Sequence, residues 1–151
     1  MEYSLLQWLT GVALLSTGLM TGVYFTFSVF VMASLRALPH DHGAKAMISI
    51  NKVILTSAFM PLFFGSSLQS LALLFIGDGL VQLAAAIYLL GMFVITAVFN
   101  VPLNNRLRDA PEQQLNETWQ QYLRHWTRWN HIRTLSSLIA ATLFLLSLSG
   151  D

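Results

Sequence analysis

Asn100, Asn104, Trp126, Trp129, Asn130, His131 and Arg133 are the residues of this chain whose types and spacing can do chemistry. A guanidinium and carboxamides are donors for an oxyanion that develops during a reaction. Histidine, with an unperturbed pKa of about 6.5, is a general base suited to neutral pH. Tryptophans offer a flat apolar slot for a ring. Thr96, Asn100 and Asn104 recur four residues apart and share one helical face. Trp119, Tyr122, Trp126, Trp129 and Arg133 share another, with Gln120, Gln121, Arg124 and Arg128 opposite. Thr17, Thr21, Tyr24 and Ser28 make a third row. If the three rows meet, they predict one pocket with Tyr24, Asn104, Trp126, Trp129 and Asn130 as binding groups. His131, Arg133 and Asn100 would then be the reactive ones, as base and oxyanion donors.

Each residue also has a plainer use. Threonine and serine bond their own helix backbone. Asn100 precedes Pro102 by two residues and can bond carbonyls that the proline leaves free. Arg133 can snorkel to phosphate. Aromatic residues anchor helices at the headgroup level without any ligand. On a helix, moreover, His131 leaves the face that holds Trp129 and Arg133, which counts against it as the base. His40-Asp41-His42 has the look of a metal triplet but lacks a further ligand nearby, and His125 and His131 face different ways, so no metal site is expected. With no cysteine, disulfides and thiolate chemistry are excluded.

The elements that must position these groups are membrane helices. The chain is 55% hydrophobic and only 10% charged, whereas soluble domains carry about 25% charged residues. A net charge of +1 without a basic stripe argues against nucleic acid. Residues 3–35, 53–77, 79–105 and 134–150 are free of charge. A helix crosses the hydrocarbon with about 20 apolar residues. The last stretch is short for this, so its helix must start upstream. The expectation is an all-α, single-domain (1–151) integral membrane four-helix bundle. Its spans fall at about 4–35, 53–77, 80–103 and 130–149, with an amphipathic interfacial helix over about 111–130 preceding the fourth span. Pro61 is expected to kink span two. Gly18 and Gly22 are expected to allow close helix packing. All cations lie in two loops, in Arg36, Lys45 and Lys52 and in Arg106, Arg108, Arg124, Arg128 and Arg133. The positive-inside rule then places those loops in the cytoplasm and both termini outside. The outer faces of spans one and four offer room for a homo-oligomer.

Two motifs carry a resemblance. Asn100-Val101-Pro102-Leu103-Asn104-Asn105 is followed by Trp119-x6-Trp126-x2-Trp129-Asn130-His131-x-Arg133-Thr134. Together with the glycines and Phe25 of span one and Ile50-Asn51-Lys52, this resembles a family of small bacterial four-helix membrane proteins of unknown function, described as anthrone oxygenase-like. The family pattern marks Asn100, Pro102, Asn104, Trp126, Trp129, Asn130 and Arg133. The resemblance implies a multi-pass protein of the bacterial inner membrane. It implies cofactor-independent oxygenation of an apolar aromatic, anthrone- or quinol-like substrate in a pocket near the cytoplasmic face. The alternative is a non-enzymatic membrane protein that binds a lipophile or a partner protein. Transport ranks last, because four helices give few walls for a pathway.

Overall fold

The computed structural model describes residues 4–39 and 41–150. Its first helix, α1 (Leu5–Ala37), begins at Ser4 in a capping box with Gln7. It ends before Pro39, which forces extended backbone on Leu38. Helix α2 (His42–Ile54) follows, opened by a surface pair in which Lys45 holds the Asp41 carboxyl below its usual range. Helix α3 (Phe59–Ile76) leads through Gly77-Asp78-Gly79 into α4 (Gly79–Arg108), and only glycine suits the φ of +31° at Gly79. After one 3₁₀ turn at Glu112–Gln114, α5 (Leu115–Ser149) runs to the end. Four helical segments are long and apolar enough to cross a membrane, and among the described residues there is no strand. The protein is an all-α membrane bundle.

Three expectations about the elements need correction. Pro61 does not kink span two, because the chain breaks before it, at residues 55–58. Pro61 therefore falls in the first turn of α3, where a missing N–H costs nothing. Ser57 Oγ accepts the Phe59 N–H at 3.2 Å beside the new start. The span expected at 53–77 is thus carried by α3, and the break at residues 55–58 separates it from α2, on which Asn51 lies.

The amphipathic stretch before span four is helical and runs without interruption into that span. It is the first half of the 35-residue α5, about 52 Å long at about 1.5 Å per residue. Its aromatic face turns inward. Trp119, Tyr122 and Trp126 are buried with Met32, Met47 and Leu107 in a core cluster. Burial against α1, α2 and α4 removes this face from water as lipid would, and adds stacking of Tyr122 between Trp119 and Trp126 with ring centroids 5.6 and 5.7 Å away.

Gly18 and Gly22 have nothing within 4 Å of an added Cβ, so they face out of the bundle. The close approach is elsewhere. A Cβ on Gly91 of α4 would run into the Cβ and Oγ of Ser136 on α5. Around this contact Met20, Tyr88, Met92, Ala140 and Phe144 are buried. Gly91→Ala should therefore destabilise the bundle by about 1–3 kcal/mol through overpacking. Gly18→Ala and Gly22→Ala should leave the thermal midpoint in detergent unchanged or slightly raised. Equal effects at all three positions would refute this packing.

Candidate functional site

Two helices that line the bundle interior are locally widened. α1 has a π-helical turn at Phe27–Val31, and α4 has two, at Leu89–Val94 and Thr96–Asn100. Pro102 gives a reason for the last. It has no N–H for a carbonyl four residues back and crowds it, and shifting the preceding bonds to wider spacing relieves that turn. The Val101 N–H accordingly donates to the Thr96 carbonyl. Asn100 does not bond carbonyls freed in its own helix. It reaches across, and its Nδ2 donates weakly to the Trp126 carbonyl of α5 at 3.4 Å.

Between these helices and α2–α3 lies a cavity of about 260 Å³. Phe27, Phe59, Phe63, Phe64 and Phe93 form much of its wall, with Met47 and Met60. Phe63 stacks on Phe59 and Phe93, with centroids 5.9 and 5.6 Å away. Polar groups occupy one side: Tyr24, Thr96, Asn100 and Arg133, with Asn51 and Asn104 towards the end that carries the basic loops. The volume is below the about 300–1,000 Å³ of drug-sized pockets, so it suits a compact ring system.

Arg133 dominates this side. It is 5% exposed, yet no carboxylate meets it. The ion pairs among the described residues are Lys45–Asp41 and Arg108–Asp109, both at the surface. Its Nη2 donates to Asn130 Oδ1 at 2.7 Å and its Nη1 to Thr96 Oγ1 at 3.3 Å. The guanidinium lies over the rings of Tyr24, at 4.3 Å, and Trp126, at 5.0 Å. Such cation–π contacts are worth about 0.5–2 kcal/mol each, against a desolvation cost of several kcal/mol for a buried ion. Arg133 Nε, Trp126 Nε1, the Tyr24 hydroxyl and Asn100 Oδ1 are buried without partners. One of these is an N–H of the cation and two are donors beside it, and the unmet demand is for a negatively charged oxygen.

Asn130 holds the arginine from behind rather than lining the cavity. Its Nδ2 donates to the Tyr24 carbonyl and to Ser28 Oγ, both at 2.8 Å, where α1 enters its π turn. Ser28 Oγ and Thr134 Oγ1 are 2.9 Å apart. Thr17 and Thr21 take the plainer course and bond carbonyls of their own helix.

The predicted residues therefore divide. Tyr24, Asn100, Asn104, Trp126 and Arg133 line the cavity, and Asn130 supports it. Trp129 lies outside, stacked on Phe99 at 3.7 Å. His131 is exposed and not on the cavity wall, as its position on the helix foreshadowed. The phenylalanine wall was not anticipated, since phenylalanine in a membrane span carries no positional signal. Thr96 was visible as the third member of the asparagine row. Tyr122, read as an interfacial anchor, instead donates to Asn104 Oδ1 at 2.7 Å and accepts from Asn51 Nδ2 at 3.4 Å. His40 lies outside the described residues. Among the described residues, no three histidine, aspartate or glutamate side chains group as metal ligands.

Asn130→Ala should lower stability by about 1–3 kcal/mol, because it strands an arginine N–H and removes the cross-helix bonds to the Tyr24 carbonyl and Ser28 Oγ. Arg133→Met should hold or raise the melting temperature, because it removes a buried charge that no acid balances. Thermal unfolding in one detergent compares the two. If Arg133→Met melts as early as Asn130→Ala, the guanidinium is a structural strut.

The family model described as anthrone oxygenase matches residues 46–143. That segment contains Asn51, Thr96, Asn100, Asn104, Trp126, Asn130 and Arg133 and excludes Tyr24. No curated protein and no solved structure matches the chain. The matched segment covers most of the chain and nearly all of the polar site, and the chain belongs to the anthrone oxygenase family.

Proposed function

We propose that this protein oxygenates an apolar aromatic substrate of the anthrone or quinol type without a cofactor, inside the cavity beside Arg133. The observation that carries this reading is a buried guanidinium with no acid, flanked by unpartnered donors in an aromatic pocket. An anthrone is flat and apolar, and loses a methylene proton to give an anion whose charge rests largely on oxygen. The phenylalanine wall would hold its rings. Arg133, with Trp126 Nε1 and the Tyr24 hydroxyl, would stabilise the oxyanion and so favour ionisation. The electron-rich carbon then gives an electron to O₂, and the resulting radical pair joins in a C–O bond. The peroxide loses its remaining C–H proton as its O–O bond breaks. The methylene becomes a carbonyl, and the second oxygen leaves as water.

In this reading the substrate's first proton leaves the cavity for water at the basic end, along the hydrogen-bonded series Asn104–Tyr122–Asn51. His131 is not its acceptor. Turnover is measured as oxygen uptake and anthraquinone absorbance for the protein in lipid nanodiscs. Arg133→Met should reduce it by about 10²-fold or more, the scale for losing an oxyanion donor. His131→Ala should leave it unchanged. An equally large loss in His131→Ala would restore the histidine as base. Binding of anthrone without oxygen uptake above the buffer rate would instead mark a lipophile-binding protein.

The family resemblance supports a bacterial inner-membrane setting, and the charge pattern supports an orientation with the basic loops in the cytoplasm and both termini outside. Because the chain has no cysteine, single cysteines at Asp78 and Glu112 can test it. They should react with an impermeant maleimide from opposite sides of intact cells. Reaction from one side only would overturn this orientation.

A further inference from the structure

At the end that carries the basic loops the cavity lining has no exposed side chain, and Asn51 and Asn104 are half-buried there. At that end Met47, Leu107, Tyr122 and Trp126 are at most 5% exposed. The hydrogen-bonded series Asn51–Tyr122–Asn104 ties α2, α5 and α4 together across the same end. The exposed members of the lining lie on the side. Leu55 is 62% exposed, Phe64 49% and Val101 42%, and Ala97 is exposed beside them. They come from the break between α2 and α3 (Leu55), from the first half of α3 (Phe64) and from the stretch of α4 where the π turn and Pro102 lie (Ala97 and Val101).

The depth of this rim follows from sequence. Leu55 is three residues beyond Lys52, and Val101 is five residues before Arg106, about 5–8 Å along a helix. The rim carries no charge and sits just inside the ring of cations that marks the membrane boundary. Its apolar side chains need a hydrocarbon neighbour.

We propose that the cavity exchanges its ligand with the bilayer, sideways through this mouth between the α2–α3 break and α4. The ligand is a lipophilic molecule dissolved in the membrane. It crosses an apolar rim and meets hydrogen-bond donors only inside. The break at residues 55–58 gives the mouth its width, since a continuous helix would carry side chains across it. The inference concerns access and holds whether or not the ligand turns over, so loss of the catalytic reading leaves it standing.

Two footprints of the protein in phosphatidylcholine–phosphatidylglycerol nanodiscs test it. A trifluoromethyl-aryl diazirine dissolved in the bilayer should leave carbene adducts on Met47 and Phe63, two cavity-wall residues buried from the outside. Hydroxyl radicals generated in water should leave Met47 and Trp126 unoxidised at a dose that oxidises exposed His131. Leu55→Trp with Val101→Trp, both at exposed positions that the fold does not need, should abolish the carbene adducts at Met47 and Phe63. Oxidation of Met47 and Trp126 from the water phase would show entry from the basic end. Absence of carbene adducts on the cavity wall of the unsubstituted protein would show that no lateral mouth exists. Either result overturns the proposal, and neither depends on the tryptophan variant folding.

Discussion

A positive charge held in a nonpolar interior without a negative partner is the constraint around which the site is arranged. Arg133 is kept there by neutral groups: a carboxamide, a hydroxyl and two aromatic faces. Each comes with a demand of its own. Asn130 must be fixed, so it also bonds α1 at the Tyr24 carbonyl and Ser28. Tyr24 and Trp126 must present their faces, so their helices have to approach at this level. Thr96 must face inward from α4. Helices α1, α4 and α5 thereby meet at the arginine through contacts weaker than an ion pair. What remains unsatisfied is charge, and that leaves the site receptive to an anionic oxygen.

Much of the architecture was legible because the bilayer simplifies the problem. Lack of charge over a helix-length stretch predicts a span, and the four charge-free stretches correspond to four spanning segments. The asparagine row and part of the aromatic row also meet at one cavity, lined by Thr96, Asn100 and Asn104 from the one and by Trp126 and Arg133 from the other. What failed was the choice between surfaces. An aromatic face next to a basic loop reads equally well as packed against lipid or against other helices. Nothing in the types of Trp119 and Tyr122 distinguishes the two. Only the presence of α2 across the basic end decides it, and α2 was hidden inside what looked like a loop and the start of a span.

Breaks in helical regularity were the other illegible part. Pro61 drew attention as a kink, but the chain turns just before it, at Leu55 to Ala58, where no residue is a strong helix breaker. Pro102 was read for the carbonyls it frees rather than for the wider turn it favours upstream. The small-residue pairs misled in the same way: Gly18 and Gly22 have the familiar spacing, while the contact that matters, Gly91 on Ser136, has a glycine on one side only.

The π turns of α4 have a consequence for how the helix can change over time. Each holds one residue more than an uninterrupted α-helix would, and one residue corresponds to about 100° of rotation. The half of α4 that packs Tyr88 and Met92 into the bundle and the half that presents Asn104 to Tyr122 are therefore set at different phases. A single-residue deletion between Leu89 and Asn100 would remove one turn of slack and swing Asn104 off its partner, while barely altering hydropathy. Point substitutions leave that phase intact. Length in this stretch is consequently held more tightly than composition, which is the reverse of what a lipid-facing helix usually requires.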